Sequence, residues 1–189
     1  GLNAAPMDIS ERKLRELYLP PFVAAIRNAK VGTVMAAHNE INGIPCHGNK
    51  WLLNDLLRDE LGFDGFVVSD WMDIERLHSM HHWVPDSTEA FVVSVESGID
   101  MHMQGDKYFE TVVAAVKSGR IPEPRIDQAA GKILAVKFAL GLFEQPVPEI
   151  PEVLDGAAEH RLTALEAARQ GLVLLKNDGT LPLKNPRRV

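Results

Sequence analysis

Apolar positions recur along this chain at two spacings, and the alternation between them lays out its elements. Leu14, Leu17, Tyr18, Phe22, Ala25 and Ile26 repeat at helical intervals behind Ser10. This predicts a helix capped by Ser10 and kinked or split where Pro20 and Pro21 remove backbone donors. Residues 1–9 carry no pattern and are read as irregular. Val31–Ala37 reads as a strand, and the segment holding Asn39, Asn42, Gly43, Pro45 and Gly48 as a loop. Trp51–Leu61 reads as a helix capped by Asn49 and stopped by Gly62. Phe66–Val68 is β-branched and aromatic and fenced by glycine, the pattern of a buried strand.

Residues 72–85, rich in His and Met, read as a loop or broken helix. Asp86 or Ser87 then caps a helix that runs to Ser97 and stops at Gly98. Ile99–Met103 reads as a short strand. Helices over Lys107–Ser118 and Pro124–Leu140 end at Gly119 and Gly141. Strands alternating with helices are the signature of βα units around a parallel sheet. Three barrel-type strands are present where a closed barrel needs eight, so raw strand edges are expected at Val31–Ala37 and Ile99–Met103. At 144–156, Pro146, Pro148 and Pro151 sit among acidic residues, which predicts an extended linker. A helix over about 157–170, a strand at Leu172–Leu175 and a turn at Lys176–Gly179 then read as the opening of a second α/β domain.

Composition narrows the partners. The 189 residues are 46% apolar and 24% charged, an ordinary globular balance. The net charge of −6, with scattered Lys and Arg, offers nothing to nucleic acid or to an anionic membrane. No apolar run approaches the roughly 18 residues of a spanning helix. Cys46 is the single cysteine, so no intrachain disulfide forms. No signal peptide precedes the first helix, and the chain reads as beginning inside a domain. No glycine-rich phosphate loop follows a strand, which argues against an open-sheet nucleotide binder.

The chemistry concentrates at one point. The apolar run Phe66–Val68 ends in Ser69, Asp70 and Trp71. A carboxylate at the C-terminal end of such a strand sits where α/β barrels keep their chemistry. The adjoining Trp is a flat apolar plate of the kind that packs on a sugar ring, and the pair suggests glycoside chemistry. An Asp after a strand can equally be the N-cap of the next helix. His78, His81 and His82 lie at i, i+3 and i+4 and invite a metal reading. They lack the Glu of the H-x-x-E-H pattern, so no metal or other cofactor is expected. Asp64 and Asp100 read as structural. Asp73 reads as a cap or as a lining of outer subsites.

Five stretches in order carry a resemblance. They are S-E-R-K-L-R-E-L-Y-L-P-P-F at 10–22, V-M-A-A-H-N-E-I-N-G at 34–43 and L-R-D-E-L-G-F-D-G-F-V-V-S-D-W at 57–71. S-G-I-D-M-H-M at 97–103 and A-A-R-Q-G-L-V-L-L-K-N-D-G-T-L-P-L at 167–183 complete the set. The sequence resembles glycoside hydrolase family 3, in its bacterial β-glucosidase branch. That resemblance implies an α/β fold: residues 1–143 as the last three βα units of a (β/α)8 barrel, 144–156 as the linker, and 157–189 as the start of an α/β sandwich. The earlier barrel strands and the acid/base Glu would then lie outside this chain, which reads as a segment inactive alone and partnered by the rest of its own polypeptide.

By the same resemblance Asp70 is the nucleophile of a retaining enzyme acting on terminal β-D-glucosyl residues, with β-linked glucosides or oligosaccharides as substrates. Trp71 borders the sugar site. His38 stands where the family usually carries Tyr or Phe; it is read as hydrogen-bonding Asp70 or a sugar hydroxyl, or as filling the pocket wall. Met103 ends the last strand and is read as lining the pocket or packing in the core. β-Xylosidase or another exo-acting β-glycosidase of the family is the alternative, and a non-catalytic α/β module the reading from another class. The resemblance favours a periplasmic or secreted protein and leaves a cytoplasmic one open.

Overall fold

A computed structural model describes residues 4–145 and 156–183. The chain divides into two compact units, Gly1–Pro146 and Val147–Val189. Most of the expected linker, residues 146–155, lies outside the described residues.

In the first unit the short strands are β1 (Pro6–Met7), β2 (Thr33–Met35), β3 (Glu40–Ile41), β4 (Ile44–Pro45) and β5 (Phe66–Val68). β2 and β5 pair in parallel, Val34 opposite Val67. A parallel pair needs a crossover, and the helix Trp51–Glu60 supplies it. That helix is wide-turned: the Leu61 N–H reaches back five residues to the Leu56 carbonyl. Asn49 caps it, its side chain accepting from the Leu52 N–H at 3.0 Å. Leu53, Leu56 and Leu57 face inward and meet Val67, which is fully buried. The helices Asp73–Ser79 and Ser87–Ser97 add Ile74, Leu77, Phe91, Val92 and Val95 to the same core, and Asn54 of the Trp51 helix donates to the Ser97 carbonyl at 2.9 Å.

Gly65 is fixed by close approach. A Cβ there would lie 2.1 Å from the Gly32 carbonyl oxygen, so only glycine lets the two strands enter side by side. Beneath the sheet, Asp100 accepts from the Val67 N–H at 2.9 Å and from Arg58 Nη2 at 2.5 Å. Arg125 Nη2 lies 3.0 Å from its other oxygen as an ion contact. One buried carboxylate thus ties β5 to the Trp51 helix and to the helix Glu123–Ala139.

The helix starts follow their sequence signals. Ser10 accepts from the Lys13 N–H, and Asp86 from the Glu89 N–H, at the heads of their helices. The first helix is divided, with Glu11–Lys13 running into a wide turn, Leu14–Tyr18, before Pro20–Arg27 resumes. Tyr108–Lys117 and Glu123–Ala139 complete the unit. No described helix is long and apolar enough to cross a membrane.

Four expectations are corrected. Residues 1–9 are not wholly irregular, because β1 pairs in parallel with β3, a ladder that no local pattern announces. The expected loop over 39–48 is a hairpin: β3 and β4 pair antiparallel around Asn42-Gly43, both at positive φ (51° and 80°). That is the Asn-Gly signature of a type I′ turn. Ile99–Met103 is no full strand and keeps one parallel bridge, Val68 to Met101, since among the described strands β5 alone pairs with it. In the second unit the helix Ala158–Gly171 is followed by Leu172–Leu175 in exposed, irregular chain rather than a strand. No described segment of that unit supplies a neighbouring ladder, and an unpaired run of apolar residues has nothing to make it a strand.

β2 is paired on one side only among the described residues. Tyr18, Phe22 and Met35 stand half-exposed along its free flank, over an apolar cavity of about 260 Å³.

Candidate active site

The C-terminal end of β5 is where the polar groups gather. Ser69 is fully buried and bonds both ways: its N–H donates to the Met101 carbonyl at 2.9 Å, and its Oγ accepts from the Met103 N–H at 2.9 Å. This clamp holds 101–103 against the strand end. Asp70 follows in a tight turn, its carbonyl accepting from the Asp73 N–H. Met72 takes a left-handed conformation (φ 55°) to start the next helix.

The Asp70 carboxylate is held at both oxygens. Oδ1 accepts from the Trp71 N–H at 2.6 Å, and Oδ2 lies 2.9 Å from His38 Nε2. The side chain is 25% exposed, open enough to meet a ligand while its direction is fixed from behind. The main-chain N–H of Asp70 donates to His47 Nε2 at 3.0 Å.

Behind this surface, Asp73 forms a hub. It is 4% exposed. Its Oδ2 bonds His38 Nδ1 and lies 3.8 Å from His47 Nδ1; its Oδ1 accepts from Arg76 Nη1 at 2.6 Å. Burial pushes the His47 imidazole down to about 4, against the pull of Asp73 and Asp70, so the ring is neutral at neutral pH. Because Nε2 accepts, its single proton sits on Nδ1, facing Asp73. The neighbouring Cys46 thiol is pushed up to about 12, first by burial and then by Asp73 and Glu40, and is an inert core group.

Trp71 is 56% exposed beside Asp70, its indole uncovered among the described residues. Met103 is 37% exposed, held near the strand end by Ser69. His38, Asp70 and Asp73 also offer ligand atoms within 4.8 Å of one another, a spacing a cation could use. Hydrogen bonds and ion contacts already account for that spacing. His78, His81 and His82 do not converge: His78 Nδ1 meets the Val84 carbonyl, His81 Nδ1 lies 3.4 Å from Glu40, and His82 is exposed at φ 50°. Asp64 is exposed in the turn before β5.

Two members of the cluster escape sequence reasoning. His47 follows a hairpin that reads as a loop, and nothing in I-P-C-H-G-N singles it out; the turn signal at Asn42-Gly43 is the one available clue. Asp73 reads as a cap or as a lining of outer subsites, whereas its helix receives no side-chain cap and Asp73 turns inward.

The arrangement suits a carboxylate nucleophile. One oxygen pair is presented at a rigid strand end beside an aromatic plate, with its donors preorganised. It is an open shelf. A cavity of about 520 Å³ lined by Gly48, Trp83 and Arg125 contains none of these groups.

The family model described as the glycosyl hydrolase family 3 N-terminal domain matches residues 1–136. A β-xylosidase from Formosa agariphila is 45% identical over 190 residues, covering 96% of this chain and 26% of that protein. A periplasmic β-glucosidase from Salmonella typhimurium is 39% identical, covering 97% of this chain and 25% of that protein. A β-glucosidase from Listeria innocua, solved in complex with glucose, superposes with a TM-score of 0.80 at 35% identity, covering 96% of this chain and 25% of that one. The chain thus spans about a quarter of the length of the relatives it matches.

Proposed function

Since this chain belongs to glycosyl hydrolase family 3, we propose that it carries the nucleophile, Asp70, of a retaining exo-acting β-glycosidase whose substrates end in a β-D-glucosyl residue. The observation that carries this reading is the Asp70 carboxylate at the end of β5, fixed by the Trp71 N–H and faced by His38. In the first step a carboxylate oxygen of Asp70 bonds to the anomeric carbon. The bond from that carbon to the aglycone oxygen breaks, and a second carboxyl gives that oxygen its proton. Water then attacks the same carbon, loses a proton to the second carboxylate and frees Asp70.

Asp73 is unsuited to be that second carboxyl. It is buried behind His38 and occupied by Arg76, with no path to a leaving group. The family resemblance assigns the acid/base to a part of the enzyme outside this chain. Trp71 supplies an apolar wall to the sugar, and Met103 lies within reach of the same shelf.

The parallel order β2, β5 and Met101, with helices between, supports residues 1–143 as three consecutive βα units of a (β/α)8 barrel. The segment 144–156 is then the linker, and 157–189 opens an α/β sandwich. A relative named as periplasmic supports an exported enzyme. A relative named as a β-xylosidase at 45% identity favours a second reading, in which the terminal sugar is xylose.

Labelling tests the proposal. An activated 2-deoxy-2-fluoro glucoside should trap a covalent adduct on the peptide containing Asp70. Asp70→Ala should lower turnover of an aryl β-glucoside by about 10³-fold or more. A label on another carboxylate would refute the assignment. Comparing kcat/KM for aryl glucoside and aryl xyloside separates the two sugars.

A further inference from the structure

We propose that Asp73 is a positioning residue for Asp70, acting through His38 and His47. The inference rests on the reading of Asp70 as nucleophile. Asp73 opens the helix Asp73–Ser79, where an acidic side chain ordinarily stays in water near the helix N-terminus. Here it is buried, and a buried carboxylate is retained only where its partners hold it. Two of those partners, His38 and His47, are the rings that reach Asp70 from the other side. His38 puts Nδ1 on Asp73 and Nε2 2.9 Å from the Asp70 carboxylate. His47 directs Nδ1 toward Asp73 and accepts the Asp70 main-chain N–H at Nε2.

The ring geometry makes this a coupling. The two nitrogens of an imidazole lie on different edges, so the partner of one fixes where the other points and which carries the proton. An ionised carboxylate only accepts, so Asp73 requires a proton on the nitrogens that face it. His47 then keeps its lone pair for the Asp70 N–H, while His38, facing a carboxylate at each edge, donates from Nδ1 to Asp73 and from Nε2 to Asp70. Asp73 thereby sets both the main chain and the side chain of Asp70, though it sits behind both rings. The simpler reading makes Asp73 the partner of Arg76 alone. Arg76 is 37% exposed, however, and its Nη1 also lies 3.4 Å from His38 Nδ1, so even this pair borders the ring that reaches Asp70.

A double-mutant cycle in the enzyme that carries this chain decides between them. Asp73→Asn keeps the shape and loses the charge. It should lower kcat for an aryl β-glucoside by about 10- to 100-fold, the range seen when an outer-shell partner is removed, with KM little changed. In a His38→Gln background the same substitution should cost about threefold or less, because its route to the Asp70 carboxylate is already cut and only the main-chain route through His47 remains. Equal losses in both backgrounds, or a loss confined to KM or to the melting temperature, would overturn the proposal. A second readout needs no variant at Asp73. ¹⁵N shifts of the wild-type histidine rings, with His38 assigned by its loss in His38→Gln, should show Nδ1 protonated, and a bare Nδ1 would equally overturn it. Labelling of Asp70 by the fluoro sugar is independent of both measurements. An additive cycle with Asp70 labelled refutes the positioning role alone, and a label elsewhere refutes the nucleophile.

Discussion

Acidification should weaken this fold through one residue, His47. Its ring is buried and its affinity for a proton falls from the ordinary 6.5 to about 4, chiefly because burial penalises the imidazolium. In the unfolded chain the same ring titrates near 6.5. Between those values the unfolded state binds a proton that the folded state refuses, so stability rises with pH across this window and is lost as pH falls through it. Above about 6.5 both states are neutral and the contribution is complete; below about 4 both are charged and the loss levels off. A shift of about 2.5 pH units corresponds to about 3 kcal/mol, of which about 2 is gone by pH 5. That is a large share of the stability of an ordinary domain. Other groups titrate in the same range, so the assay is a difference. Urea unfolding followed by tryptophan fluorescence would compare wild type with His47→Gln between pH 7 and pH 4. Glutamine keeps an acceptor for the Asp70 N–H and cannot take the proton. Trp83, packed against Gly48, is a nearby reporter. The wild type should lose about 3 kcal/mol more than the variant over that range. Parallel curves would show that His47 is not held neutral by burial, and the reasoning would fail.

Asp100→Ala removes the one carboxylate between Arg58 and Arg125, leaving two partly buried guanidinium groups uncompensated. It should cost about 3–5 kcal/mol, read as a fall in the urea midpoint; a change within the range of surface substitutions would contradict the anchoring role. Trp71→Ala deletes an exposed ring that carries no core packing, so melting should be unchanged while KM for a β-glucoside rises about three- to tenfold. An unaltered KM would remove Trp71 from the sugar site.

What the sequence determined by itself was local. The cap at Ser10, the cap at Asp86 or Ser87, the strand Phe66–Val68 and the carboxylate at its end follow from side-chain chemistry read within a few residues. Such signals are short-range because a cap or a buried strand needs only its own neighbours in the chain to show itself. Tertiary structure decided the rest. β1 exists because Met7 finds Ile41, and Ile99–Met103 shrinks to one bridge because, among the described strands, β5 alone lies beside it. The polar hub is the strongest case. His38 and Asp73 are 35 positions apart, and Asp70 and His47 are 23 apart. Alone, Asp73 is an acidic residue at a helix start and His47 a histidine after a turn. Only the fold brings them into one dry pocket, where a carboxylate must find donors and a ring must give up its charge. Periodicity reports which face of an element is apolar; it carries no information about which polar groups from distant elements will share the same few ångströms.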